Sequence, residues 1–305
     1  MRIFNEITEY DAGSSCVALG FFDGVHRGHR AVIDACCADK GADQAVVLTF
    51  RESPAATLGA AVPELLTDNV RKAELIGEAG ADAVIFADFQ SIRDLSPEGF
   101  VRLILRDCLH AKKVYCGFNY RFGKGGAGDT AALVRLCAQE GIEAIAVPPV
   151  YIDGEAVSST RIRELLAAGE TKRAARMLGY PYVIGGDIAG GNHIGTALGF
   201  PTVNIPIAEG LCVPRCGVYS TRVTIGGRVY RGATNIGVHP TVGANPRPLC
   251  ETFLLDYTGG DLHGRSARCA LIDFVRPERR FENTEALREQ IEKDIRGIQS
   301  CKELI

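Results

Sequence analysis

The hydrophobic pattern changes period near Pro181, and this confines the chain to two differently built halves. From residue 16 to 150, short apolar runs alternate with amphipathic stretches. CVALGFF, QAVVLTF, DAVIFADF, KKVYCGFNY and EAIAVPPV, rich in Val, Ile and Phe, read as five strands. The stretches between them carry helix punctuation. HRAVIDACCADKG stops at Gly41, DNVRKAELIGEAG at Gly80 and DTAALVRLCAQEG at Gly141, while SPEGFVRLILRDCLH opens with Ser96 as cap and Pro97 in the first helical position. Strands separated by helices make βαβ units, so the first half is expected to be α/β, with a mostly parallel sheet covered on both faces.

After Pro149 two helical segments, STRIRELLAAGE and TKRAARMLGY, lead to Pro181. From Tyr182 the chain reads as strands and turns: YVIGGDIAG, FPTVNI, GVYSTRVTI, RVYRGATNI, ETFLLDY and SARCALIDFVRP. Gly226-Gly227 between two alternating runs is a hairpin signal. NTEALREQIEKDIRGI sets Leu287, Ile291, Ile295 and Ile298 on one helical face, with Asn283 as cap. The second half is therefore expected to be a small antiparallel β-barrel or sandwich closed by a C-terminal helix. A length of 305 residues suits two such domains, divided as 1–181 and 182–305.

Composition excludes several partner classes. The net charge of −3 leaves no basic field to hold a polyanion, so nucleic acid is not an expected partner. No apolar run approaches the ~20 residues of a membrane span, and the acidic start MRIFNEITEYDAG has no apolar stretch of signal-peptide length, so a cytoplasmic protein is expected. Eleven cysteines without a CxxC read as reduced, mostly buried small side chains rather than a zinc site. The oligomeric state is not legible.

Two segments carry chemistry. GFFDGVHRGH, Gly20 to His29, lies between the first strand of this pattern and the helix after it, where open α/β sheets bind ligands. Gly20, Gly24 and Gly28 let the backbone approach a ligand closely. His26 and His29, three apart, face one side of a first helical turn that also offers unpaired N–H groups and a positive dipole end. Phosphate is the natural guest there. The imidazoles suit its oxygens as a pyrophosphate bond breaks, and Asp23 is placed to orient one of them. On spacing alone, an incidental surface His pair and a metal site built from both His and Asp23 stay open. Gly123, Gly125 and Gly128 also satisfy GxGxxG, with Glu143 twenty residues after the first, but they sit in a polar loop well past the first strand, which argues against a dinucleotide fingerprint.

The second segment, AGGNHIGTALGFPTVNI (Ala189 to Ile205), is glycine-rich without the GK[ST] of a Walker A loop. Its glycines can fold over phosphates as a flap. Thr202 and Asn204 alternate onto one strand face and carry neutral oxygens suited to a hard cation such as Mg²⁺ held mainly by ATP phosphates. On the residues alone, a plain edge strand opening at Pro201 and a solvated carboxylate at Glu251 explain the same letters.

In combination these blocks resemble the prokaryotic bifunctional riboflavin kinase/FAD synthetase family, over nearly all of residues 16–298. GxFDGxHxGH is similar to its nucleotidyltransferase signature, which implies ATP contacts from Gly20, Phe22, Asp23, Gly24, His26 and His29, the two histidines being catalytic. GFNYRFGKGGAGD resembles the flavin-side loop, implying roles for Asn119, Arg121 and Asp129. VSSTRIRELL resembles the second ATP motif, in which Ser158, Ser159, Thr160 and Arg163 approach the nucleotide; three hydroxyls and guanidinium groups at a helix N-terminus form an anion cradle in their own right. GFPTVN resembles the flavokinase signature, implying ATP binding by Gly190, Gly195, Gly199, Pro201, Thr202 and Asn204, with Thr202 and Asn204 on Mg²⁺. GATNIGVHPTVG and RPERRF resemble further family blocks, and Glu251 stands where the family places its catalytic base.

The resemblance implies a Rossmann-like nucleotidyltransferase domain and a kinase barrel that use ATP twice, turning riboflavin into FMN and FMN into FAD. Two departures bear on this. TFRESP has Glu52 and Ser53 where the family shows Pro and His, and Thr196 replaces a commonly basic residue in the kinase loop. A kinase with an impaired or repurposed first domain, and a non-catalytic flavin-binding regulator, are the competing readings.

Overall fold

Apolar runs buried on both faces set the centre of the first sheet. The structure is a computed structural model and describes residues 1–54, 62–190, 202–238, 248–255 and 257–300. It divides into two units, Met1–Ser159 and Thr160–Ile305.

The first unit contains β1 (Arg2–Phe4), β2 (Ser15–Leu19), β3 (Gln44–Phe50), β4 (Ala83–Ala87), β5 (Ala111–Gly117) and β6 (Glu143–Val147) in the order β1-β4-β3-β2-β5-β6, every pairing parallel. Five strands are at the expected positions; the sixth, β1, is an addition. Its three residues have no periodicity, and only pairing with β4 makes them a strand. Val17, Val46, Val84, Ile85 and Val114 are fully buried, as a sheet covered on both faces requires.

Helices α1 (Arg27–Asp39), α2 (Asn69–Glu78) and α3 (Thr130–Gln139) follow the amphipathic segments. Asp68 and Asp129 cap α2 and α3, accepting from the N–H groups of Arg71 (2.7 Å) and Ala132 (2.8 Å), each such cap being worth about 1 kcal/mol. Ser96 caps a turn, Pro97–Gly99, that continues as π-helix over Phe100–Cys108. A small hairpin, β7 (Tyr151–Ile152) with β8 (Glu155–Ala156), ends the unit.

Helices α4 (Ser159–Ala168) and α5 (Thr171–Leu178) lead into the second sheet. Its strands are β9 (Val183–Asp187), β10 (Thr202–Pro206), β11 (Gly217–Ile225), β12 (Arg228–Val238), β13 (Pro248–Leu254) and β14 (Ser266–Pro277). They run antiparallel in the order β10-β13-β12-β11-β14-β9, and a bridge between Ala189 and Asn204 brings the β9 end back to β10. The result is the expected small barrel, nearly closed. Gly226 and Gly227 form the two-residue hairpin, both with positive φ (56° and 79°), the backbone that such a turn demands. Helix α6 (Thr284–Gln299) is capped by Asn283, whose Oδ1 accepts from the N–H of Ala286 at 2.8 Å. Its buried Asp294 takes Arg276 of β14 at 2.8–2.9 Å.

Inside the barrel runs a column of hydroxyls. Thr221, Thr234 and Thr252 are wholly buried and linked at 2.8 Å, so each satisfies the next. Gly232 makes room for the column: a Cβ there would lie 2.5 Å from Thr221 Oγ1 and 2.6 Å from Thr252 Cγ2. Gly232→Ala is expected to cost about 1–3 kcal/mol through overpacking. Urea unfolding followed by circular dichroism should show the lowered midpoint, and an unchanged midpoint would show that the column yields freely.

Candidate active sites

The first site begins where connections in the parallel sheet reverse direction. From β2 the chain winds outward to β3, whereas β5 and β6 lie on the other side of β2, so the crevice between the carboxyl ends of β2 and β5 is the switch point at which such sheets bind ligands. Leu19 pairs with Cys116, so the Gly20–His29 and Gly117–Asp129 loops leave the sheet at the same level.

The first loop is tightly constrained. Phe22 adopts a left-handed backbone (φ 53°), followed by a single turn over Asp23–Val25 with Gly24 (φ 77°) and Val25 (φ 37°) also positive. Gly20 allows this, because a Cβ there would lie 2.9 Å from the Phe22 ring. The ring, 1% exposed, stands edge-on to His29 at 5.3 Å, and His29 stacks on His26 at 3.6 Å with 15° between planes. His26 caps α1, its Nδ1 accepting from the N–H of His29 at 3.2 Å. The carboxylate of buried Asp23 accepts from the N–H of Leu66 (2.8 Å) and, more weakly, Thr67 (3.4 Å), which anchors the turn. Ser159 Oγ donates to the carbonyl of Asp23 at 3.0 Å.

The two histidines are therefore a built stack, not an incidental surface pair. Burial first, then His26 and Lys72, hold the imidazole of His29 well below the usual histidine range. It is neutral at pH 7, with one N–H to donate. His29 Nδ1 is buried and has no hydrogen-bond partner among the described residues. Among those residues no cluster of His, Cys, Asp or Glu is disposed to hold a metal ion.

The structure brings Gly20, Phe22, Asp23, Gly24, His26, His29 and Ser159 together around this turn. Asn119, Arg121 and Asp129 are exposed on the neighbouring loop, with Arg121 and Asp129 3.9 Å apart and Asp129 also capping α3. Ser158 immediately precedes Ser159, the last residue of the first unit, while Thr160 and Arg163 lie on α4 in the second unit. Glu52 is exposed and Ser53 buried just past β3. Sequence reading passed over Lys72, which is wholly buried on α2. Its signal is its place one turn before Leu75 and Ile76 on the apolar stripe of the helix.

In the second unit Thr202 and Asn204 share the outer face of β10. Register sets Asn204 opposite Glu251 on β13 and Glu251 opposite Asn235 on β12, a row of three polar side chains across three strands. Thr202 Oγ1 donates to Glu251 Oε1 at 2.9 Å, which aims the carboxylate and leaves the lone pairs of the hydroxyl available. Asn204 is 5% exposed and its Oδ1 has no hydrogen-bond partner among the described residues. Both side chains line a cavity of about 470 Å³ with Ile188, Ala189, Gly190 and His263. Asn235, absent from the sequence reading, donates to Glu278 Oε1 at 3.1 Å and so ties this face to the RPERRF segment. Gly195, Thr196, Gly199 and Pro201 lie outside the described residues.

Comparison with known proteins joins the two sites. The FAD synthetase family pattern matches residues 8–161, and the riboflavin kinase pattern matches residues 178–302. A bifunctional riboflavin kinase/FMN adenylyltransferase from Listeria monocytogenes is 35% identical over 91% of this chain and 89% of its own length. The Escherichia coli protein of the same description is 32% identical over 96% of this chain and 95% of its own. A crystal structure from Streptococcus pneumoniae, described as a macrolide-efflux protein, superposes with a TM-score of 0.87 at 26% identity, covering 98% of this chain and 99% of that one. With both patterns in order and relatives of this length, the chain belongs to the bifunctional riboflavin kinase/FMN adenylyltransferase family.

Proposed function

We propose that the chain carries the two transfers of its family on separate sites: phosphorylation of riboflavin on the outer face of β10, β13 and β12, and adenylylation of FMN at the ends of β2 and β5. The observation that carries the reading is that each unit has its own polar centre with a buried atom lacking a hydrogen-bond partner among the described residues, Asn204 Oδ1 in one and His29 Nδ1 in the other. The division 1–181 and 182–305 belongs to the same proposal, as does a cytoplasmic setting, supported by the free cysteines of the described residues.

In the kinase site Glu251 accepts the proton of the ribityl 5′-hydroxyl as that oxygen attacks the γ-phosphorus of ATP and ADP departs. The bond from Thr202 holds the carboxylate for this task. The donor set fits a hard cation, with the orphaned Asn204 Oδ1 beside the free lone pairs of Thr202. Mg²⁺ bound there with ATP supplies neutralisation of phosphate charge. Gly190 lines the same cavity and is assigned to nucleotide binding, the role that the family resemblance also implies for Gly195, Gly199 and Pro201.

In the adenylyltransferase site a phosphate oxygen of FMN attacks the α-phosphorus of ATP and pyrophosphate leaves, so neither a protein nucleophile nor a base is required. His26 and His29 donate to phosphate oxygens and stabilise the charge that develops, together with the backbone of Gly20, Phe22, Asp23 and Gly24. Ser158, Ser159, Thr160 and Arg163 complete the ATP contacts, while Asn119, Arg121 and Asp129 take the flavin side. The missing imidazole at Ser53 favours one rival, a kinase whose first unit no longer makes FAD. Incubating FMN with ATP and Mg²⁺ decides it: FAD on a chromatogram supports the present reading, and its absence supports the rival.

Three variants test the roles. His29→Ala should lower FAD formation at least ~100-fold while riboflavin phosphorylation stays intact. Glu251→Ala should lower FMN formation by about 10²–10⁴ and spare adenylylation of supplied FMN. Asn204→Ala should raise the Mg²⁺ concentration needed for kinase turnover by about tenfold, and an unchanged Mg²⁺ titration would remove Asn204 from the metal.

A further inference from the structure

Neither site uses Lys72. Its side chain is 0% exposed, and its Nζ has no hydrogen-bond partner among the described residues. A buried ammonium is expensive unless something repays its lost hydration. What surrounds it is the histidine loop. The ammonium lies 4.1 Å from the centroid of the Phe21 ring, a cation–π contact, and α2 packs against the Asp23–Val25 turn. Asp23, the carboxylate that acts on it, also accepts from the backbone of Leu66 and Thr67. The other orphan of this region, His29 Nδ1, belongs to the same loop. Two unsatisfied buried polar groups so close to one turn are unusual in a folded protein.

We propose that Lys72 is a positioning residue for adenylyl transfer, its buried ammonium acting through His29 and adding fixed positive charge behind the loop that receives phosphate. The inference rests on the adenylyltransferase reading of that loop. Its physical content is twofold. A cation beside His29 opposes a second positive charge on the imidazole, so His29 stays a neutral donor. The same cation attracts the charge that builds on the phosphates in the transition state, in a setting too dry for solvent to screen it.

The neighbours that set these charges are few. His29 is faced by His26 from the start of α1 and by Lys72 from α2, and Lys72 is faced by Asp23 from the turn. The adjacent Arg71 points along α2 to Glu74 and Glu78 at 3.0 and 3.1 Å. Burial brings Lys72 down to about 8, partly offset by Asp23. Lys72 thus sheds its charge just above neutrality, and FAD formation should fall as pH rises through that value. Removing Lys72 takes away one influence that lowers His29, so His29 should then titrate at a higher pH.

The test uses the full chain and Lys72→Met, which keeps the volume of the side chain and removes its charge. FAD formation from FMN, ATP and Mg²⁺ is followed against pH, riboflavin phosphorylation serves as the internal control, and the histidine resonances are titrated by NMR. The expected result is roughly a tenfold loss in FAD turnover with kinase turnover unchanged, loss of the falling limb near pH 8, and an upward move of the His29 titration. Wild-type turnover with an unaltered pH profile in the variant would overturn the proposal. So would lost turnover with the His29 titration unmoved, since that marks a merely structural lysine. If the variant does not fold, the wild-type profile decides alone, and absence of a falling limb near pH 8 overturns it. If the wild-type enzyme makes no FAD, the adenylyltransferase reading fails, while the His29 titration in the two proteins still supports or overturns the electrostatic link.

Discussion

Phe22 leaves β2 with its backbone in the left-handed region, and much of the first site depends on that one dihedral. It turns the ring back over Gly20, where no Cβ obstructs it, and the ring becomes the wall against which His29 and then His26 stack. A non-glycine residue in this conformation costs of order 1–3 kcal/mol and persists only where its surroundings over-determine it. Here they do so through the Asp23 carboxylate on Leu66 and Thr67, the Thr49 hydroxyl on the carbonyl of Phe21, and the Ser159 hydroxyl on the carbonyl of Asp23. The histidines thus stand on strained, cross-tied backbone rather than on a free loop, and the dipole of α1 is aimed past them.

The barrel solves its positioning problem by register instead of strain. Alternation sends Thr221, Thr234 and Thr252 inward, where they satisfy one another. The same alternation sends Asn204, Glu251 and Asn235 outward in one row. A slip of one residue in β13 would exchange Glu251 and Thr252, burying a carboxylate and turning one hydroxyl of the column outward. The order β10-β13-β12-β11-β14-β9 is therefore what makes Glu251 available, and the Gly226-Gly227 turn fixes the β11–β12 part of that register.

Much of this was legible in the sequence wherever local chemistry decides the outcome. The caps at Ser96 and Asn283, the Gly226-Gly227 hairpin and the change of period near Pro181 follow from rules that act over a few residues. What escaped depends on distant partners. Strand β1 exists because β4 offers an edge. The opposition of Asn235 and Glu251 is set by pairings that no spacing reveals. Lys72 and Asp294 were missed for a different reason. Each is a charge on the apolar stripe of an amphipathic helix, and reading the stripe for its apolar members alone discards the charged one that has been buried with them.

Two separate sites on one chain, as proposed, make FMN both a product and a substrate, and imply that FMN released by one molecule can be used by another. Mixing two purified variants, His29→Ala and Glu251→Ala, with riboflavin, ATP and Mg²⁺ tests this most directly. The account predicts that neither variant alone makes FAD from riboflavin but that the mixture does, with FMN from the first adenylylated by the second. A mixture as inactive as its components would contradict it.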